Sequence, residues 1–133
     1  SGDALLTVYG WNFLVTHGDR MGSRGGGGFI GPAAIITRGM KRVIEYYATL
    51  GVVIDAVCCG HFHTSLELEY GFANGSLPGM TEYGRDGRFR PAPPKQWLLF
   101  VNLVYGVTAR WPILLEKPVR TPAPAEPITV RAV

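Results

Sequence analysis

The sequence predicts an α/β fold bordering on α+β, with one main helix and about six strands, and three observations predict it. Residues 33–50 carry apolar side chains at Ile35, Ile36, Met40, Val43, Ile44 and Tyr47, with Arg38, Lys41, Arg42 and Glu45 placed elsewhere, which is helical spacing. Apolar runs flank that stretch, at residues 12–16 before it and 52–58 after it, so strand, helix and strand follow one another as in a crossover unit. The rest reads as short strands punctuated by glycine and proline, without repeats or heptads.

Each element has its own signal. Residues 4–9 form a mostly apolar strand that Gly10 separates from a second strand over residues 11–16, as in a hairpin. Residues 20–31 hold Gly22, four consecutive glycines from Gly25 and Gly31, a density that excludes helix and strand and predicts a loop. That loop is either a mobile flap beside a site, with Arg20 and Arg24 available for phosphate oxygens, or a plain connection. No Gly-Lys-Ser or Gly-Lys-Thr follows, so it is not a P-loop. Pro32 suits a first helical position and Gly51 a helix end. Tyr46 and Tyr47 read as packing residues on that helix.

Residues 52–59 read as a buried strand. In residues 65–70, Leu66 and Leu68 alternate with Glu67 and Glu69, predicting a half-exposed strand whose glutamates form the solvated face. Residues 77–94 are a loop bearing Arg85, Arg88 and Arg90 around Phe89, read either as a solvated loop or as a contact for nucleic acid or a phosphate-rich partner. Two apolar strands follow at residues 96–105 and 107–115 around Gly106, with Pro112 placing the second at a sheet edge. Pro118, Pro122, Pro124 and Pro127 make residues 117–133 an extended or disordered tail and leave one domain, residues 1–116.

Composition narrows the class. A chain of 133 residues that is 47% apolar supports one modest core. Its net charge of +3 comes from scattered Lys and Arg, compatible with a polyanionic substrate but without the basic block that nucleic-acid binding would favour. Cys58 and Cys59 are adjacent in an apolar run, where two reduced and mostly buried thiols are expected, and a cytoplasmic location with them. No basic and apolar leader and no apolar stretch of bilayer length is present, so no membrane association is expected.

The candidate site is the stretch Cys59-Gly60-His61-Phe62-His63-Thr64, which delivers two imidazoles directly after the apolar run. The third of the three histidines, His17, also ends a strand-like run, with Gly18 and Asp19 behind it. Each alone reads first as an ordinary surface-loop histidine. Together, at the carboxyl ends of strands in an α/β unit, they favour a shared metal site. Histidine and carboxylate donors suit manganese, iron, zinc or similar divalent ions without choosing among them.

These residues resemble a family. Gly60-His61-Phe62-His63 is similar to the closing Gly-His-x-His motif of the calcineurin-like metallophosphoesterases, and Thr16-His17-Gly18-Asp19 to the histidine motif that precedes it. Phe72-Ala73-Asn74-Gly75-Ser76 resembles the Asn-x-Gly-Ser strand end of the phosphodiesterase branches. The resemblance spans residues 11–76. It implies half of a metallophosphoesterase-type β-sandwich flanked by helices, and a hydrolase, phosphatase or phosphodiesterase, acting on phosphomonoesters or phosphodiesters. It also implies two divalent metal ions, manganese first, with iron, zinc, nickel or magnesium as alternatives. By the same resemblance, His17 and His61 bind one metal and His63 the other, and the catalytic candidates are Asp19, which orients an imidazole, and Asn74, which either shapes the strand end near the site or serves the backbone. The family's Asp-x-His, Gly-Asp-x-x-Asp/Asn and Gly-Asn-His-Asp/Glu motifs have no counterpart in the sequence. The chain therefore looks like a C-terminal portion whose partner is an N-terminal half or a second copy. Two other readings stand beside this one: a DNA-directed nuclease of the same superfamily, and a non-catalytic assembly module that keeps the fold.

Overall fold

The computed structural model describes residues 2–22, 32–79 and 93–116. Along the chain it places β1 (Ala4–Val8), β2 (Trp11–Thr16), a one-turn 3-10 helix (Asp19–Met21), α1 (Pro32–Thr49), β3 (Ala56–Cys59), β4 (Leu66–Leu68), β5 (Gly71–Ala73), β6 (Lys95–Asn102) and β7 (Gly106–Leu114). The strands form a five-stranded sheet ordered β1-β2-β3-β5-β4 and a two-stranded sheet of β6 and β7. The expected mixture of one helix and short strands is what is found, with seven strands among the described residues.

Local chemistry explains most of the order. β1 and β2 pair antiparallel across a two-residue turn, Tyr9 at φ 51° and Gly10 at φ 85°, the left-handed pair that a tight hairpin of this twist requires. β2 and β3 are parallel with α1 between them, the crossover that the sequence implies. Their pairing is pinned at its start by Asn12 and Asp55. The Asn12 amide donates to Asp55 Oδ2 at 2.6 Å, the Asp55 amide donates to the Asn12 carbonyl at 2.9 Å, and Asn12 Nδ2 donates to the Val53 carbonyl at 2.9 Å.

Those bonds also explain why the strand is shorter than the apolar run that announces it. Val52 donates to the Tyr47 carbonyl at 3.0 Å and closes the end of α1. Residues 52–55 are thus spent on capping the helix and anchoring β2, and ladder pairing starts only at Ala56.

One face of the sheet and one face of α1 make the core. Leu14, Val57, Cys59 and Ala73 point from the sheet at Ile36 and Met40, with Met21 and Ile54 filling the margins. Ile36 and Met40 are completely buried, each contributing about 1.5–3 kcal/mol by removal from water. α1 lies so close to the 3-10 turn that a β-carbon on Gly39 would sit 2.6 Å from the Met21 carbonyl oxygen, so the loop after β2 rests directly on the helix.

Among the described residues, the opposite face is only partly covered. The β6–β7 hairpin reaches it through Trp97 tilted against Phe72 with ring centroids 5.8 Å apart, Trp11 Nε1 donating to the Leu103 carbonyl at 3.2 Å, and an Arg110–Glu67 ion pair at 2.7 Å. Glu67 is exposed as read but serves as this tether. Pro112 lies on β7, which among the described residues pairs with β6 alone, as expected of an edge. Tyr46 departs from expectation: it is largely exposed and meets Tyr47 edge to face at 5.5 Å, while Tyr47 packs partly on the core and donates to Asp3 Oδ2 at 3.0 Å. The expectations for the glycine loop from residue 23 on, with Arg24, for Arg85, Arg88 and Arg90, and for the tail 117–133 lie outside the described residues.

Candidate functional site

The β2–β3 register fixes where the histidines meet. Thr16 pairs with Cys59, and the ladder runs one step further as the Gly60 amide donates to the His17 carbonyl at 3.2 Å. Both strands end there with their carboxyl ends side by side. The chain then reverses sharply: the Phe62 amide donates to the Gly60 carbonyl at 2.8 Å across His61, which sits at φ 67°. This is a three-residue γ-turn of the rare positive-φ kind. His63 is also left-handed, at φ 54°.

Two non-glycine residues held in that region cost about 1–3 kcal/mol each, and such strain collects at functional sites. The turn carries the His61 ring to 5.1 Å from the His17 ring, centroid to centroid, at an interplanar angle of 71°. On its other side His61 meets the Phe62 ring at 5.3 Å. Phe62 in turn packs against the core, which anchors the turn from below.

Gly18 makes this approach feasible. It adopts φ 97°, and a β-carbon there would lie 3.2 Å from the Gly60 carbonyl oxygen and 3.3 Å from the Phe62 ring. The two histidine-bearing loops therefore touch through Gly18. In the sequence Gly18 stands out only as part of the Thr16-His17-Gly18-Asp19 motif, since glycine permits a left-handed backbone without announcing one.

The other candidate residues divide. Asp19 opens the 3-10 turn two residues beyond His17, and Arg20 follows it, exposed. Asn74 is structural: its amide donates to the Cys59 carbonyl at 2.8 Å and its Oδ1 accepts from the Trp97 amide at 2.9 Å, so it clamps β3, β5 and β6 together. Of the two roles read for Asn74, these bonds describe the backbone one, and the residue also lines a cleft with His61 and His63. His63 is exposed and lines, with His61, a cleft on the less covered face of the sheet. Both thiols are free, and burial pushes Cys58 up and Cys59 up to about 12. Neither is available as a thiolate near neutral pH.

Neighbouring imidazoles at His17 and His61 offer two nitrogen donors of the type that divalent transition metals prefer. Among the described residues, no group of three or more His, Cys, Asp and Glu side chains is placed to hold a metal ion. The residues present thus fit part of a coordination shell. No helix is long and apolar enough to cross a membrane among the described residues. Compared with known proteins, the chain has no significant match to a family model, a curated sequence or a solved structure.

Proposed function

We propose that this chain supplies the histidine part of a divalent-metal site in a metal-dependent phosphoesterase, a cytoplasmic hydrolase of phosphomonoesters or phosphodiesters. The observation that carries the reading is the strained turn at His61, which sets its ring 5.1 Å from that of His17 across two adjacent strand ends. Strain of that kind persists only where the surroundings hold it, here Phe62 below and Gly18 beside.

In this reading His17 and His61 hold one ion and His63 a second, with manganese as the first candidate. A bound metal pair would activate a water and neutralise the phosphate oxygens. The chain's own residues orient the ligands: the Gly60–His17 backbone bond sets the separation of the two loops, and Asp19 positions an imidazole. Carboxylates that complete the shell come from polypeptide outside the described residues.

A second observation supports a polypeptide partner. The outward face of the β6–β7 hairpin presents Leu98, Phe100, Trp111 and Ile113, all exposed, with Trp111 at 58%. Contiguous apolar patches of this kind mark interfaces. The occupant we assign is the segment that brings the missing carboxylates.

The test is hydrolysis of bis(p-nitrophenyl) phosphate by the natural gene product at its full encoded length in manganese buffer. His61→Ala is expected to abolish the activity. A product that is inactive in the presence of each candidate metal, or active and indifferent to His61→Ala, refutes the reading.

A further inference from the structure

We infer that the cleft beside His61 and His63 binds the uncharged, apolar organic group of a phosphoester, which makes the substrate a small aryl or alkyl ester rather than a nucleotide or a nucleic acid. The inference rests on the phosphoesterase reading and adds the substrate class to it.

The cleft has a volume of about 480 Å³, within the range of small-molecule sites. One wall is the sheet face that the hairpin leaves open, where Val15 is 42% exposed and Cys58 lies beside it. Leu77 and Pro78, from the loop after β5, line the cleft as well. His61 and His63 line the same cleft, so a ligand anchored on them by its phosphate would lay its organic group against these apolar residues.

Charge decides the ligand class. Among the described residues no Lys, Arg, Asp or Glu lines the cleft. A polyphosphate or a second phosphodiester would therefore meet no cation among the described lining residues, whereas apolar surface is at hand. Two of the polar side chains present, those of Gln96 and Asn74, are held by the fold. Gln96 Nε2 donates to the Gly75 carbonyl at 2.7 Å and to the Lys95 carbonyl at 3.1 Å, and Asn74 Oδ1 accepts from Trp97. The Cys58 thiol stays neutral because burial raises its pKa. Val15, Leu77 and Pro78 give the cleft apolar surface, and an aromatic or alkyl group removes Val15 and Leu77 from water as it binds.

The experiment titrates the chain with 2-naphthol in metal-free buffer and follows backbone amide resonances. Shifts at Val15, Cys58 and Leu77 are expected, weakened at least about tenfold by Leu77→Asp, an exposed position where the fold tolerates a charge, and unchanged by Trp111→Gln on the hairpin. Shifts centred on Phe100 and Trp111 instead, or equal binding of AMP, overturn the inference. A second arm compares phenylphosphonate with inorganic phosphate in millimolar manganese. Phenylphosphonate is expected to bind at least about tenfold more tightly, an advantage that Leu77→Asp removes. If 2-naphthol seats in the cleft but manganese leaves His17 and His61 untouched, the metal reading fails separately and the substrate assignment falls with it.

Discussion

Gly18→Ala tests the contact between the two histidine loops. At φ 97° an alanine pays the left-handed penalty of about 1–2 kcal/mol. Its methyl group would also meet the Gly60 carbonyl oxygen at 3.2 Å, the Phe62 ring at 3.3 Å and Cys59 Cβ at 3.4 Å. Two of these neighbours are held in place, Gly60 by its bond to His17 and Cys59 by the core, so crowding adds about 1 kcal/mol more. Gly10→Ala is the matched control: φ is 85° and nothing lies within 4 Å of the added carbon, so it pays the backbone term alone. Urea denaturation is expected to show a loss of about 2–3 kcal/mol for Gly18→Ala against about 1–2 for Gly10→Ala, with equal m-values. Only Gly18→Ala should weaken manganese binding, because only there must the His61 turn shift. Equal destabilisation by the two variants, or unchanged metal affinity in Gly18→Ala, refutes the claim that the loops are positioned through this contact.

Two further outcomes follow from the same geometry. The Cys59 pKa is raised to about 12 from 9.0, with Cys58 shifted in the same direction, so the unfolded thiols ionise first as pH rises. Their stabilising contribution is complete below about pH 9 and is lost between about pH 9 and 12; urea midpoints measured across that window should fall more steeply for the native chain than for Cys59→Ala. Asn74→Ala removes the acceptor of the Trp97 amide and should cost about 1–3 kcal/mol, read as faster hydrogen exchange at Trp97; unchanged exchange would show that Asn74 does not clamp β6.

Much of this structure was legible in the sequence, for identifiable reasons. The 3.6-residue spacing from Ile35 to Tyr47 gave α1 because its buried stripe and its charges separate cleanly, and Pro32 and Gly51 marked its ends. β2 was readable to the residue since Gly10 and His17 bound it. β3 was not, because an apolar run records burial or proximity to a helix end as well as ladder pairing; Val52 and Val53 are apolar yet serve the α1 terminus and the Asn12 anchor. Tyr46 failed for a related reason: it neighbours Tyr47 in sequence, but the helix turns it by about 100° toward solvent. The convergence of His17 and His61 followed from strand ends alone. The turn that brings their rings together depends on backbone angles at His61, which no side-chain pattern announces. The cleft escaped notice altogether, since Val15, Cys58, Leu77 and Gln96 come from four separate stretches that only the tertiary fold assembles.

The claim that His17 and His61 share one ion is tested most directly by paramagnetic broadening of their imidazole carbon-bound protons as substoichiometric manganese is added to the chain. This readout registers even weak, partial coordination. Both resonances are expected to broaden together, and His61→Ala is expected to release His17 from the effect. Imidazole signals that stay sharp at millimolar manganese, or a His17 signal that broadens equally well without His61, would contradict the shared site.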